Sequence, residues 1–482
     1  MFLYDLTTAP GHSLYERLTG CIRRDILEGR LPAGSRLPSK RRAAAAWGIS
    51  VVTVMAAYDQ LLTEGYLVSE ERRGYFVAQV EEWEMHPAVP SPAVSRPPSC
   101  EPEPCGTEKP AIDLIHSHVP PDLFPLSVWN RLLRKALRDE GQALLSRTDY
   151  NGLPALRSAI RDVLYESRGI RTEPDNILIS AGNEQLYATL LVFLGRDRVF
   201  GVEDPGYPLI PRLYGQNGVH VIPLPLDAAG VSPAAAEAAG VNVLHISPNH
   251  HFPTGIVTPV GRRQELLAWL EAAPDRYIIE DDYDSEFRMA GKPIPSLQSM
   301  DRTGRVIYIN TFSKTVAPSL RIGYAVLPPR ISLAYRERLG FLSCPVAVPE
   351  QYVLAAFMAD GSFARHINRM RTRCRAVRDT LLTALSESPC AAQYTVSAAD
   401  GGLHFLLTLH TALSDPELCA ALESHGVRVR TLRDYYAVPP VGDTHTLVMN
   451  YAGLSVSCAR DLVCRLDAAC LGQAPVSVTA KP

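Results

Sequence analysis

Apolar and polar positions follow two rhythms along this chain, and the helical one comes first. From Leu14 to Leu27, small or apolar residues fall at 14, 18, 21, 22 and 26, the spacing of one helical face, and the run stops at Gly29. LPAGSRLPS then makes a turn-rich connection through Pro32 and Pro38. Ser39 is placed to cap a second helix that Gly48 ends, and Ser50 a third that ends near Gly65. YLVSEERRGYFVAQV follows as two short β-rich runs about a charged turn with Gly74. Helix, helix, short turn, helix and hairpin predict a winged helix-turn-helix over residues 1–80.

The pattern then lapses. Eight of the thirty residues from 81 to 110 are proline, which predicts a semi-rigid spacer. If polyproline-like throughout, it spans up to about 90 Å. Regularity returns at residue 111. Helical stretches (Val128 to Arg138, Gly152 to Arg168) precede short β-rich runs at 176–180, 198–203, 241–247, 277–281 and 306–312. Helix-forming segments separate several of these runs, as the crossovers of a mainly parallel sheet require. Residues 111–482 are therefore expected to be α/β, with a smaller C-terminal α+β region carrying strands near Leu403 to Leu409 and Thr446 to Tyr451.

Charge and cysteine narrow the function classes. With 48 Lys plus Arg against 51 Asp plus Glu, the net charge is -3, which excludes a wholly basic nucleic-acid coat. Locally, five basic residues and no acidic one lie between Arg30 and Arg42. The ten cysteines are scattered and form no CxxC pair, so no metal site is expected. The N-terminus lacks a basic region followed by an apolar run, and apolar stretches break before 18 residues. The expectation is a cytoplasmic protein without a membrane partner.

The small module carries the chemistry of a phosphate ligand. Arg36, Lys40, Arg41 and Arg42 cluster about a helix start, where backbone N–H groups also meet phosphate. Ser50 and Thr53 open the third helix, and Arg72 and Arg73 sit at the hairpin tip. Double-stranded DNA is the expected partner. The segment LPAGSRLPSKRRAAAAWGISVVTVMAAYDQLLTEGYLVSEERRGYFV resembles the DNA-binding domain of the GntR regulator family. That resemblance implies backbone or base contacts from Arg36, Ser39, Arg41, Ser50 and Thr53, with the Gly74 turn as the wing. Lys40 stands where the family usually has an acid, and Val51 where it often has an arginine, which removes one base-reading donor.

In the body, INTFSKTVAPSLRIGYAV (309–326) sets Lys314 after Ser313 and seven residues before Arg321. A lysine amine condenses with an aldehyde when its pKa is lowered, and Ser313 with Arg321 suits a neighbouring phosphate. A second strand ends in Glu280, Asp281, Asp282, Tyr283 and Asp284. On its own that acidic run reads equally as a Mg²⁺ site or a solvated turn. Together with the lysine it fits pyridoxal 5'-phosphate (PLP), whose ring nitrogen needs a carboxylate. Residues 281 and 283 share one face of an extended chain, and 282 faces away.

SAGNEQLYATL, VEDPGYP, SPNHHFPTG, IIEDDYDSEF and TFSKTVAPSLRIGY make the body resemble fold type I aminotransferases from about Ile112 to Cys470. The resemblance implies Gly182, Asn183 and Glu184 at the phosphate turn, Tyr207 beside the cofactor, and Asp281 at the pyridine nitrogen. It implies Tyr283 near the phenolic oxygen, Lys314 as covalent partner and Arg321 on the phosphate. Tyr150 would reach the phosphate held by the other subunit of a homodimer. Phe252 replaces the asparagine that aminotransferases place before PTG, with His250 and His251 upstream, read as structural histidines. That form, and the order of the two halves, resembles the MocR/GabR group of regulators.

Two classes of function follow. One is a PLP-dependent DNA-binding regulator that senses an amino compound or PLP itself, with little turnover. The other is a working aminotransferase with an accessory DNA-binding module. In GVRVRTLRDYY (426–436), Arg428 and Arg430 share a strand face, one of them an ordinary surface residue, and Arg433 is the expected ligand contact.

Overall fold

The structure is a computed structural model that describes residue 4 and residues 13–71, 73–79, 112–115, 122–288 and 295–471. It divides into two compact units, Met1–Gly106 and Thr107–Pro482. The proline-rich spacer at 81–110 lies outside the described residues, as does Arg72.

In the first unit, α1 (Leu14–Leu27), α2 (Lys40–Trp47) and α3 (Val51–Thr63) precede a hairpin of β1 (Leu67–Glu70) and β2 (Gly74–Val77). Ser39 caps α2 and Gly48 ends it in the left-handed region (φ 66°), where a side chain is strained. Ser50 then caps α3, and the two helices cross at 118°, the bend of a helix-turn-helix. Leu18, Ile22, Val54, Tyr58, Leu61, Leu67 and Val77 bury one core beneath them. Leu14 and Cys21, which share the apolar spacing of α1, stay outside it.

The second unit opens with β3 (Ile112–Asp113), α4 (Leu126–Asp139) and α5 (Pro154–Arg168). Next come β4 (Ile177–Ser180), α6 (Asn183–Leu194), β5 (Val199–Asp204), β6 (His220–Asp227), β7 (Gly230–Val231), β8 (Val243–Ile246), β9 (Tyr277–Asp281), β10 (Val306–Thr311) and β11 (Gly323–Val326). These strands form one sheet in the order β4-β11-β10-β9-β8-β5-β6-β7. The run from β10 through β6 is parallel, whereas β11 is antiparallel to both its neighbours. Helices cover both faces, so the strands read as unbroken apolar runs such as ILIS and VIYINT, all buried. A smaller sheet of β12 (Tyr394–Ser397), β13 (His404–Leu409) and β15 (Thr446–Asn450) packs on the helices Ser362–Glu387 and Val456–Cys470. Between them β14 (Val427–Arg428) pairs with β3. Among the described residues no single helix is long and apolar enough to cross a membrane.

Candidate functional site

The carboxyl ends of the parallel strands open onto a cavity of about 500 Å³, where an α/β sheet offers its ligand site. The end of β9 puts Asp281 there. The alternation of an extended chain aims Asp281 and Tyr283 inward. Asp282 points away, to Arg168 at 2.9 Å and the Tyr308 hydroxyl at 2.7 Å. Asp281 accepts the Tyr187 hydroxyl at 2.5 Å and the Asn183 amide at 3.5 Å, both from the first turns of α6. His245 Nε2 lies 3.5 Å from the same carboxylate, while its Nδ1 meets the Tyr214 hydroxyl at 2.8 Å. Burial holds Tyr187 well above its ordinary pKa, so it stays a donor. A carboxyl group fixed in this way, with its oxygens aimed into the cavity, is suited to a protonated ring nitrogen.

Lys314 leaves the turn after β10 beside it. Thr311 organises that turn, donating to Ser313 Oγ at 3.0 Å and accepting the Ser313 N–H at 3.1 Å. Burial lowers the pKa of the Lys314 amine, against the opposing pull of Asp284. A desolvated amine of this kind is the form that attacks an aldehyde.

Opposite stands an anion cradle. Gly182 begins α6 at φ 83°, and a Cβ there would sit 3.1 Å from Arg321 Nη2. Arg321 itself holds a left-handed φ of 49°, which costs a non-glycine residue about 1 kcal/mol or more and is kept where structure demands it. Its guanidinium pairs with Glu184 at 3.2 Å. Gly323 brings this cradle against the lysine turn, pairing with both Ser180 and Thr311. A Cβ on it would strike Asn183 Oδ1 at 2.8 Å. The N-terminus of α6, Arg321 and Ser313 thus border the same cavity, a donor set suited to a phosphate.

Of the expected residues, Asn183, Glu184, Tyr207, Asp281, Tyr283, Ser313, Lys314 and Arg321 all line the cavity, and Gly182 abuts it. Tyr150, expected to serve the site of the other subunit, does not line this one; it stacks on Tyr335 at 5.9 Å. Arg433, the expected ligand contact, is not among the lining residues either. Its Nη1 donates to the carbonyls of Pro440, at 3.0 Å, and Gly442, so it staples a loop. Burial dominates the raised pKa values of Tyr207 and Tyr435, and Arg430, near enough to act on both, opposes the shift, as Arg321 does at Tyr207.

Where aminotransferases carry an asparagine, Phe252 meets four rings: Tyr435 and His404 at 5.1 Å, Tyr207 at 6.2 Å and Tyr283 at 6.4 Å. His250 Nδ1 sits 2.9 Å from Asp284 and 3.3 Å from the Tyr283 hydroxyl. Burial opposes its charge, but the Asp284 carboxylate outweighs that and raises its pKa. His404 joins His250 and Asp284 in a buried group with ligand atoms within 4.8 Å of one another, the spacing a metal ion would need. A sequence reading finds no third ligand because Asp284 and His404 come from distant strand ends. His251 meets Thr254 at 2.7 Å and stands 3.4 Å from Glu203. Burial drives the Glu203 pKa up to about 8 and that of His251 down to about 3, leaving a neutral pair at the cavity wall.

The first unit presents a different surface. Ser39 accepts the Arg42 N–H at 3.4 Å, and Lys40, Arg41 and Arg42 fill the first turn of α2. Cations there oppose the helix dipole, at about 0.3–1 kcal/mol each, unless an anion binds. Arg41, Arg42, Arg36 and Arg73 are exposed, and Ser50 with them. Lys40 is partly committed to Asp59 at 3.4 Å and the Tyr75 ring, and Arg73 to Glu70. Thr53 is half-buried and gives its backbone N–H to the Ser50 cap at 3.0 Å.

Comparison with known proteins agrees with both halves. The model of the family "Aminotransferase class I and II" matches residues 121–463, and that of "Bacterial regulatory proteins, gntR family" residues 14–77. The chain is 36% identical to the uncharacterized HTH-type transcriptional regulator YhdI of Bacillus subtilis (strain 168), over 92% of each chain. It is 32% identical to the probable rhizopine catabolism regulatory protein MocR of Rhizobium meliloti, over 95% of this chain and 93% of that one. In fold it is similar to an archaeal alanine:glyoxylate aminotransferase, with a TM-score of 0.67 and 22% identity over 76% of this chain and 92% of the other. The chain thus belongs to the MocR-type HTH transcriptional regulators, in which a GntR-family DNA-binding domain is joined to an aminotransferase class I and II domain.

Proposed function

We propose that this regulator holds PLP in the body cavity and senses an amino compound, or PLP itself, with little aminotransferase turnover. One observation carries the reading: Lys314, Asp281, Tyr283, Ser313 and Arg321 share one cavity in a chain that also has a DNA-binding module. PLP, when bound, supplies a reactive aldehyde on an electron-withdrawing ring. Asp281 would hold a proton on the ring nitrogen, and Tyr283 would face the phenolic oxygen. Lys314 would present its neutral amine, and Arg321, Ser313 and the start of α6 would hold the phosphate. Arg430 is the better-placed cation for an acidic effector. Phe252 offers the cofactor packing but no hydrogen bond, which favours binding over efficient turnover. The chain would act in the cytoplasm as a homodimer, whose paired modules suit two half-sites.

The alternative, a working aminotransferase, draws on the same lysine and aspartate. DNA affinity measured with PLP and a panel of amino compounds, beside product formation with a 2-oxo acid, separates the two. We expect a shift in DNA affinity or footprint with a visible spectral change and negligible product. Cycling over many equivalents, with DNA binding indifferent to every ligand, would overturn the regulator reading.

A further inference from the structure

The first two turns of α3, Val51 to Tyr58, contain no Lys, Arg, Asn or Gln. Their hydroxyls are already engaged. Thr53 Oγ1 and Ser50 Oγ bond each other at 2.8 Å, closing the cap, and Tyr58 donates to the Pro38 carbonyl from the core. What these turns present outward is apolar: Val51, Val52 and Met55 are 44%, 67% and 41% exposed. Met55 follows Val51 by four residues and Val52 by three, so the three form one patch. It lies opposite the buried Val54, Ala57 and Leu61.

A patch of this kind on so small a module calls for a partner, and the surrounding charge names one. The first turn of α2 carries Lys40, Arg41 and Arg42, and Arg73 marks the hairpin turn. Further along α3, Asp59 is exposed and would repel phosphate, so only the first two turns suit a close approach. Basic groups around an apolar helix start fit the major groove of duplex DNA. There the thymine 5-methyl is the apolar group on the base edges, while guanine presents two acceptors that call for an Arg or Lys fork, which these turns lack.

We infer that α3 reads thymine methyl groups, through contacts of Val51, Val52 and Met55 with an A·T-rich half-site. This rests on the DNA-binding reading of the module and adds what the helix discriminates.

The test uses the full chain with PLP. Duplexes enriched from a random pool are resynthesised with deoxyuridine in place of each thymine in turn, a change that removes the methyl and keeps the pairing. Affinity is measured at fixed salt. Each contacted methyl should be worth about fourfold in Kd, the burial of one methyl-sized group. At least two thymines per half-site should respond, with the salt dependence unchanged. Val52→Ala, a surface change, should weaken thymine duplexes and leave the matching deoxyuridine duplexes nearly unaffected; Met55→Ala provides a second reading of the same coupling. Enriched duplexes indifferent to every deoxyuridine would overturn the inference and leave DNA binding standing. Equal weakening of both duplexes by both variants would do the same. Failure to enrich any duplex, with no salt-sensitive binding, would instead bring down the DNA-binding reading and this inference with it.

Discussion

The two halves of this chain hold their charges under opposite conditions. Around α2 and the hairpin, the basic side chains stand in water; Arg73 keeps 71% of its side chain exposed. In the body, Asp281 and Asp284 retain 5% and 2%. Exposed charges act through a screened field, whose strength the ionic strength sets. Buried ones act through fixed protonation states: desolvation keeps Tyr187 a donor, pushes Lys314 toward the neutral amine and leaves Glu203 uncharged at neutral pH. Salt is therefore the lever on one half and pH on the other.

The largest expected effect tests the buried half. Lys314→Ala should abolish borohydride trapping of PLP and the visible band that PLP gains on condensing with a lysine, while salt-dependent DNA binding survives. An unchanged, reducible band in that variant would remove Lys314 from the site. Next comes the exposed half. Arg41→Ala or Arg42→Ala should each flatten the log–log salt dependence of DNA affinity by about one unit, for specific and non-specific duplexes alike. PLP retention should not change, and an unaltered slope would take these residues off the phosphates.

A pH comparison sharpens the contrast. Glu203, raised from 4.5 to about 8, contributes stability that is full below pH 4.5 and lost as pH rises through 8. His251, lowered from 6.5 to about 3, contributes stability that is full above pH 6.5 and lost as pH falls through 3. Between pH 4.5 and 6.5 the two slopes oppose each other, and from 6.5 to 8 only the Glu203 loss remains. In thermal melts of PLP-free protein, Glu203→Gln should gain on the parent by several degrees across that upper window. A constant offset would mean Glu203 is ionised throughout. The smallest effect belongs to Arg433→Ala, which should cost about 1 kcal/mol of stability from the lost carbonyl contacts. Ligand response should stay intact, whereas Arg430→Ala should weaken it. The reverse pattern would restore Arg433 to the ligand.

Elements whose signals are local were legible before any coordinates. Ser39, Gly48 and Ser50 mark helix ends because caps act within one turn. The period of two separates Asp281 and Tyr283 from Asp282 for the same reason. Pairing partners carry no such signal. Nothing in GYAV announces that β11 runs against both its neighbours. Nor does VRVR show that β14 stops at Arg428, after which Thr431 and Asp434 cap a short 3-10 turn (Leu432–Tyr435). That turn sends Arg433 to a loop; the sequence sets it after the strand but does not show which carbonyls it will meet. The supports of Asp281 were hidden likewise: His245 and Tyr214 look like core residues until the sheet sets them beside the aspartate.

The pairing of Gly323 with both Ser180 and Thr311 also bears on how the protein is made. The phosphate cradle joins segments about 140 residues apart in the chain, so it does not exist until the ribosome has released residues beyond Val326. The winged module is complete by Val77 and, as an N-terminal unit, can fold early in synthesis. During translation the DNA-binding half therefore exists well before the aminotransferase-like half. A chain interrupted between the two would carry the DNA-binding domain alone.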